Sequence, residues 1–175
     1  MKRKNSEVRK YKIISLILFI IILIFLIFYF LPIFISIPDI SMISLDGFME
    51  VEVLAETGDE YGTVNLYGDC YELKAVVENS QAESIMNGRN GIVGPRPNAH
   101  DLFKDTADTI GIKILMVKIT EMKNDMYFSK IVMQKGNTLI NLDARPSDAV
   151  AIAVRTNTPI FINETLFKSQ GTKVC

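Results

Sequence analysis

Hydrophobic and polar residues are distributed in two distinct ways along the chain. From Ile13 to Ile37 the sequence reads IISLILFIIILIFLIFYFLPIFISI, with no charged residue and only Ser15, Pro32 and Ser36 outside the aliphatic and aromatic set. As a helix, 25 residues extend roughly 37 Å at about 1.5 Å per residue. A bilayer core needs only about 20 residues. The run is apolar on every side, so no partner surface in so small a protein could bury it, which predicts a single membrane span. A cleaved signal peptide is the competing reading. It fits less well, because the run exceeds the usual apolar length and no A-x-A-like site follows. Pro32 falls near the far end, where a kink is tolerated. Phe28, Tyr29 and Phe30 lie towards an interface.

After a linker over residues 38–48 the periodicity changes. Met49 to Ala55 alternates apolar and acidic positions, predicting a half-buried strand. Tyr61–Tyr67 and Tyr71–Val77 predict a hairpin turning at Gly68-Asp69. Ser80-Gln81-Ala82-Glu83 has capping-box spacing and predicts a helix from about Gln81 to Asn87, closed by Gly88. The glycine- and proline-rich stretch to Asn98 predicts a loop. Its three glycines lack the G-K-[ST] ending of a phosphate-binding loop. Asn98 then caps a helix from Ala99 to about Ile110, with Asp101 at its third position. Ile112–Ile119, Met126–Met133 and Thr138–Leu142 predict strands. Pro146 opens a helix ending near Arg155-Thr156-Asn157, and Pro159–Ile162 predicts a last strand. This order predicts an α+β fold with a mixed, mostly antiparallel sheet and about three helices, behind one transmembrane helix. The globular domain is expected over residues 49–167, with a tail over 168–175.

With 175 residues, there is room for one domain and an appendage. Charge is unevenly placed. Residues 1–12 carry six of the 19 basic residues and one of the 20 acidic ones, leaving 13 against 19 beyond them, a net −6. The positive-inside rule keeps the basic tail in the cytoplasm and places the domain on the outer side. Asn163-Glu164-Thr165 is a formal glycosylation acceptor there, though such triplets arise often by chance. An acidic domain is not a passive nucleic-acid binder, so any such partner must be held at a local site. The single histidine, His100, excludes multi-histidine zinc sites. Two cysteines, Cys70 and Cys175, exclude a metal knuckle. In an oxidising space they pair with each other or with another chain.

Candidate chemistry sits in two polar clusters, Arg96-Pro97-Asn98-Ala99-His100-Asp101 and Asp143-Ala144-Arg145-Pro146-Ser147-Asp148. Each places an arginine and acids at the entrance to a helix, where free backbone N–H groups suit an anion. Arg96 and Arg145 are the expected phosphate-binding residues. His100, Asp101 and Asp148 are the expected catalytic ones, with Asp143 and Asp148 holding a divalent metal such as Mg²⁺ or Mn²⁺. Together these groups can hydrolyse a phosphodiester bond. The plainer alternatives are a cap for Asp101, a helix-dipole partner for Asp148 and an ion pair for Asp143 with Arg145.

The same clusters carry a resemblance. DARPSDAVAIAVR from Asp143 to Arg155, followed by PIFI from Pro159, resembles the bifunctional nuclease family of small α+β domains assigned DNase and RNase activity. RPNAHDL from Arg96 resembles the family's R-P-x-T-H-D-L, and Tyr127-Phe128-Ser129-Lys130 its F-Y-A-R-like strand. The likeness covers about Met49 to Phe167. It departs at Ala99, where threonine is usual, at Lys130, where arginine is usual, and in the membrane span. The resemblance implies nuclease activity on DNA or RNA and a domain that self-associates. A non-catalytic assembly module and a phosphate-ligand sensor are the alternatives.

Overall fold

The computed structural model describes residues 2–34 and 42–175, in two separate compact units that divide at Ile37/Pro38. The first unit is one helix, α1 (Lys2–Phe34). Within it Tyr11–Tyr29 has a mean hydropathy of 3.0 and is long and apolar enough to cross a membrane. Every side chain of that segment is exposed. The end of the expected span, residues 35–37, and the expected linker as far as residue 41 lie outside the described residues.

The second unit is α+β, built on two sheets rather than one. Strands β1 (Phe48–Glu50), β5 (Lys113–Lys123), β6 (Met126–Lys135), β7 (Thr138–Ala144) and β8 (Ile160–Asn163) form a five-stranded sheet in the order β1-β8-β5-β6-β7. Its pairs are antiparallel except β5 with β8. Strands β2 (Glu52–Glu56), β3 (Tyr61–Gly68), β4 (Tyr71–Glu78) and β9 (Thr172–Lys173) form an antiparallel four-stranded sheet. The strand expected over Met49–Ala55 is therefore divided. Val51 is buried and its N–H bonds to Ile160 O, while the residues before and after it join different sheets.

Four helices accompany the sheets: α2 (Asn79–Arg89), α3 (Ala99–Thr109), α4 (Pro146–Thr156) and α5 (Glu164–Gln170). The Ser80–Glu83 capping box does not form. Helix α2 starts two residues earlier, with Glu78 at its N-cap and no side-chain cap. Gly88 does not close that helix either; it lies inside it. A Cβ there would meet Arg155 Nη1 at 2.6 Å and Val154 Cγ2 at 2.9 Å, so this glycine lets α4 approach α2. The small residues Ala149, Ala151 and Ala153 are fully buried along α4. The core joins Val53, Leu66 and Leu73 of one sheet to Val117, Ile131 and Ile162 of the other through α4.

Helix α5 and β9 had no counterpart in the sequence pattern. Asn163 caps α5 by accepting the Leu166 N–H at 3.0 Å, so the formal glycosylation acceptor also serves as a helix cap. Beyond α5, β9 pairs with β4, and Cys175 forms a disulfide with Cys70 across 105 residues.

Candidate active site

Three helices meet where α2, α3 and the start of α4 converge, and the two polar clusters of the sequence come together there. Nε2 of His100, in the first turn of α3, lies 3.3 Å from Oδ1 of Asp148, in the first turn of α4. Arg145, the N-cap of α4, donates from Nε to Oδ2 of the same carboxylate at 2.8 Å and from Nη2 to Oδ1 at 3.3 Å. This outer end is open to solvent. The Arg145 side chain is 73% exposed and that of Asp148 28%.

The inner end is closed. Ser84, buried on α2, places Oγ 2.9 Å from His100 Nδ1. The same oxygen accepts from Arg155 Nη2 at 3.0 Å and from Asn98 Nδ2 at 3.2 Å. Arg155 donates from Nε to Asp101 at 2.6 Å and from Nη1 to the carbonyls of Ser84 and Ala151. One hydrogen-bonded chain thus runs from buried Asp101 through Arg155, Ser84, His100 and Asp148 to exposed Arg145.

The two helix entrances differ. At α3, Asn98 Oδ1 accepts the N–H groups of His100 and Asp101, and Asp101 accepts the Asn98 N–H, completing a capping box. Those donors are already satisfied within the box and are not available to the anion expected at this entrance. No side chain caps α4, and Pro146 occupies its first turn. The N–H groups of Ser147 and Asp148 lie at that uncapped end, where the helix dipole favours negative charge.

Several expected residues stand elsewhere. Asp101 is committed inward, with Oδ1 on Arg155 and Oδ2 on the Asn98 N–H, so both of its oxygens already have partners. The Arg155 hydrogen bond holds its carboxyl below the usual aspartate range, opposed by burial and aided by the Asn98 N–H. Arg96 lies in the exposed loop before α3 and makes no hydrogen bond or ion pair among the described residues. Asp143 pairs with Lys130 across β6 and β7 at 2.7 Å, rather than with Arg145. The expected metal pair therefore lacks a fit. Asp143 and Asp148 each have cationic partners, and no group of three or more His, Cys, Asp or Glu among the described residues is arranged to hold a metal ion. Ser84 and Arg155 were missed as members of the site. Arg155 follows Asp148 by seven residues, two helical turns, which puts both on one face of α4.

A hydrocarbon-lined cavity of about 50 Å³ lies among Leu66, Leu73, Ile119, Val150 and Ile162. It offers nothing to a charged ligand, unlike the exposed Arg145–Asp148 face.

Comparison with known proteins covers the same region. An uncharacterized protein of Mycobacterium tuberculosis is 32% identical over 104 residues, which are 59% of this chain and 61% of that protein. Bifunctional nuclease 1 of Oryza sativa subsp. japonica is 33% identical over 105 residues, and bifunctional nuclease 1 of Arabidopsis thaliana 30% over 105. Each of those alignments covers 58% of this chain but only 32% of the plant protein. The matches thus span less than two thirds of their relatives' own length. The bifunctional nuclease domain model matches residues 69–174. That interval runs from the β3–β4 turn through β9 and holds every member of the hydrogen-bonded chain, so this protein belongs to the bifunctional nuclease domain family.

Proposed function

We propose that the protein is a membrane-displayed nuclease that hydrolyses phosphodiester bonds of DNA or RNA at the Arg145–Asp148–His100 face of α4. The contact between His100 and Asp148 carries this reading, because it joins the two polar clusters beside an uncapped helix entrance. A phosphate lodges between the Arg145 guanidinium and the N–H groups of Ser147 and Asp148. Arg145 is free to turn towards it, since an exposed ion pair holds its partners weakly. Asp148 then keeps the His100 contact but has an oxygen free to take a proton from water attacking phosphorus, while the P–O bond to one sugar oxygen breaks and that departing oxygen takes a proton from solvent. Arg145 and the helix end stabilise the charge that develops. No step is assigned to a metal, because Asp143 and Asp148 each face a cationic partner and no group of three or more His, Cys, Asp or Glu among the described residues is arranged to hold one.

The test is cleavage of labelled single-stranded DNA and RNA by the full chain in detergent, with Mg²⁺ or Mn²⁺ supplied. Asp148→Asn should lower kcat about a hundredfold, and Arg145→Ala should raise KM as well. Full activity in Asp148→Asn would exclude this site. A second reading is a phosphate-ligand sensor, favoured by the occupied nitrogens of His100. Thermal stabilisation by nucleotides without turnover would select it.

The proposed location is the outer side of the membrane. The basic residues before the apolar helix support it, and so does the disulfide, a bond that persists in oxidising compartments. A protease added to intact cells should degrade residues 42–175; protection of that domain would place it inside.

A further inference from the structure

The environment of Ser84 restricts the state of the only histidine in the chain. Asn98 Oδ1 accepts two backbone N–H groups, so the Asn98 amide faces Ser84 with its NH₂ side. Arg155 is a donor only. Both lone pairs of the Ser84 hydroxyl are therefore taken, by Asn98 and by Arg155. The one hydroxyl proton is left for His100 Nδ1, 2.9 Å away. A ring with its proton on Nδ1 would bring a third donor against this oxygen and leave the hydroxyl proton without an acceptor.

We infer that Ser84 is a positioning residue, whose hydroxyl donates to Nδ1 of His100 and so holds the ring proton on Nε2, aimed at Asp148. The role in cleavage rests on the proposed nuclease reading; the tautomer does not. Ser84 is not a nucleophile, because its oxygen is buried and saturated, although the order Ser84–His100–Asp148 superficially resembles a hydrolytic triad. Its effect passes through His100. The hydroxyl proton fixes which ring nitrogen carries the hydrogen, and the Nε2–H donated to Asp148 leaves Asp148 as the acceptor that water meets.

Because there is one histidine, a long-range ¹H–¹⁵N spectrum of the full chain in detergent, labelled at histidine, reports this ring alone. At neutral pH the neutral form should show Nε2 bearing the proton and Nδ1 bare. Nδ1 bearing it would overturn the inference without touching the nuclease reading. In Ser84→Ala the single tautomer should give way to a mixture, with kcat falling roughly tenfold or more and KM within about twofold. Ser84→Thr, which keeps the hydroxyl, should restore both. A Ser84→Ala spectrum identical to that of the parent would also overturn it, as would covalent labelling of Ser84 by a fluorophosphonate. Should the wild-type tautomer be as stated while no nucleic acid is cleaved, the nuclease reading fails and the positioning of His100 stands.

Discussion

Asp101 and Arg155 show how a motif residue acts structurally rather than chemically. Their side chains are 10% and 4% exposed, and each satisfies the other's charge. Asp101→Asn leaves the guanidinium buried without its counter-ion, which should cost about 3 kcal/mol, measured by denaturant unfolding near neutral pH. The carboxyl's folded pKa is depressed, so its contribution is complete above the ordinary aspartate value of about 4 and disappears as pH falls through the folded value. The gap between parent and variant should therefore narrow below about pH 4. The meeting of His100 with Asp148 was legible in the sequence, as two arginine–acid clusters at helix starts. Ser84 was not, because the Ser80–Glu83 spacing offered a more familiar role nearby. Arg155 looked like a helix terminus, and its spacing from Asp148 pointed to a shared face only once both were placed on one helix.

Among the elements, the approach of α2 to α4 decides whether the site assembles. Replacing a helical glycine by alanine ordinarily stabilises a helix by about 1 kcal/mol. Gly88→Ala should do the opposite. The added methyl would strike Arg155, whose guanidinium is pinned by Asp101, Ser84 and Ala151 and cannot swing away cheaply. Lower thermal stability together with a perturbed His100 spectrum is the expected result, and a gain in stability would contradict this account. Most strands and the helices α3 and α4 were readable from periodicity and caps. The division at Val51 was not, since apolar and acidic positions alternate without a break while the hydrogen-bonding partners change. Helix α5 and β9 were too short to leave a pattern, and their anchorage comes from β4 and Cys70, which are distant in sequence.

Across the whole molecule, the disulfide ties the last strand to the hairpin turn that opens the family-matched region. A closed loop of this length contributes about 5 kcal/mol by restricting the unfolded chain. Reduction, or Cys175→Ser, should lower the unfolding midpoint of the domain over residues 42–175, read by near-ultraviolet circular dichroism against the oxidised protein. The apolar helix, the basic leader and the acidic domain were all visible as blocks of composition. The pairing of the cysteines was not, since two thiols can join within a chain or between chains.

That bond also constrains how the protein is made. Cys70 is synthesised 105 residues before its partner, so it must stay a free thiol while the intervening strands and helices are assembled. The sequence has no third cysteine to trap it. Within the chain, premature oxidation of Cys70 then has no wrong partner; where it joins a second copy, the product is a thiol-reversible covalent dimer, whose yield should rise with expression level.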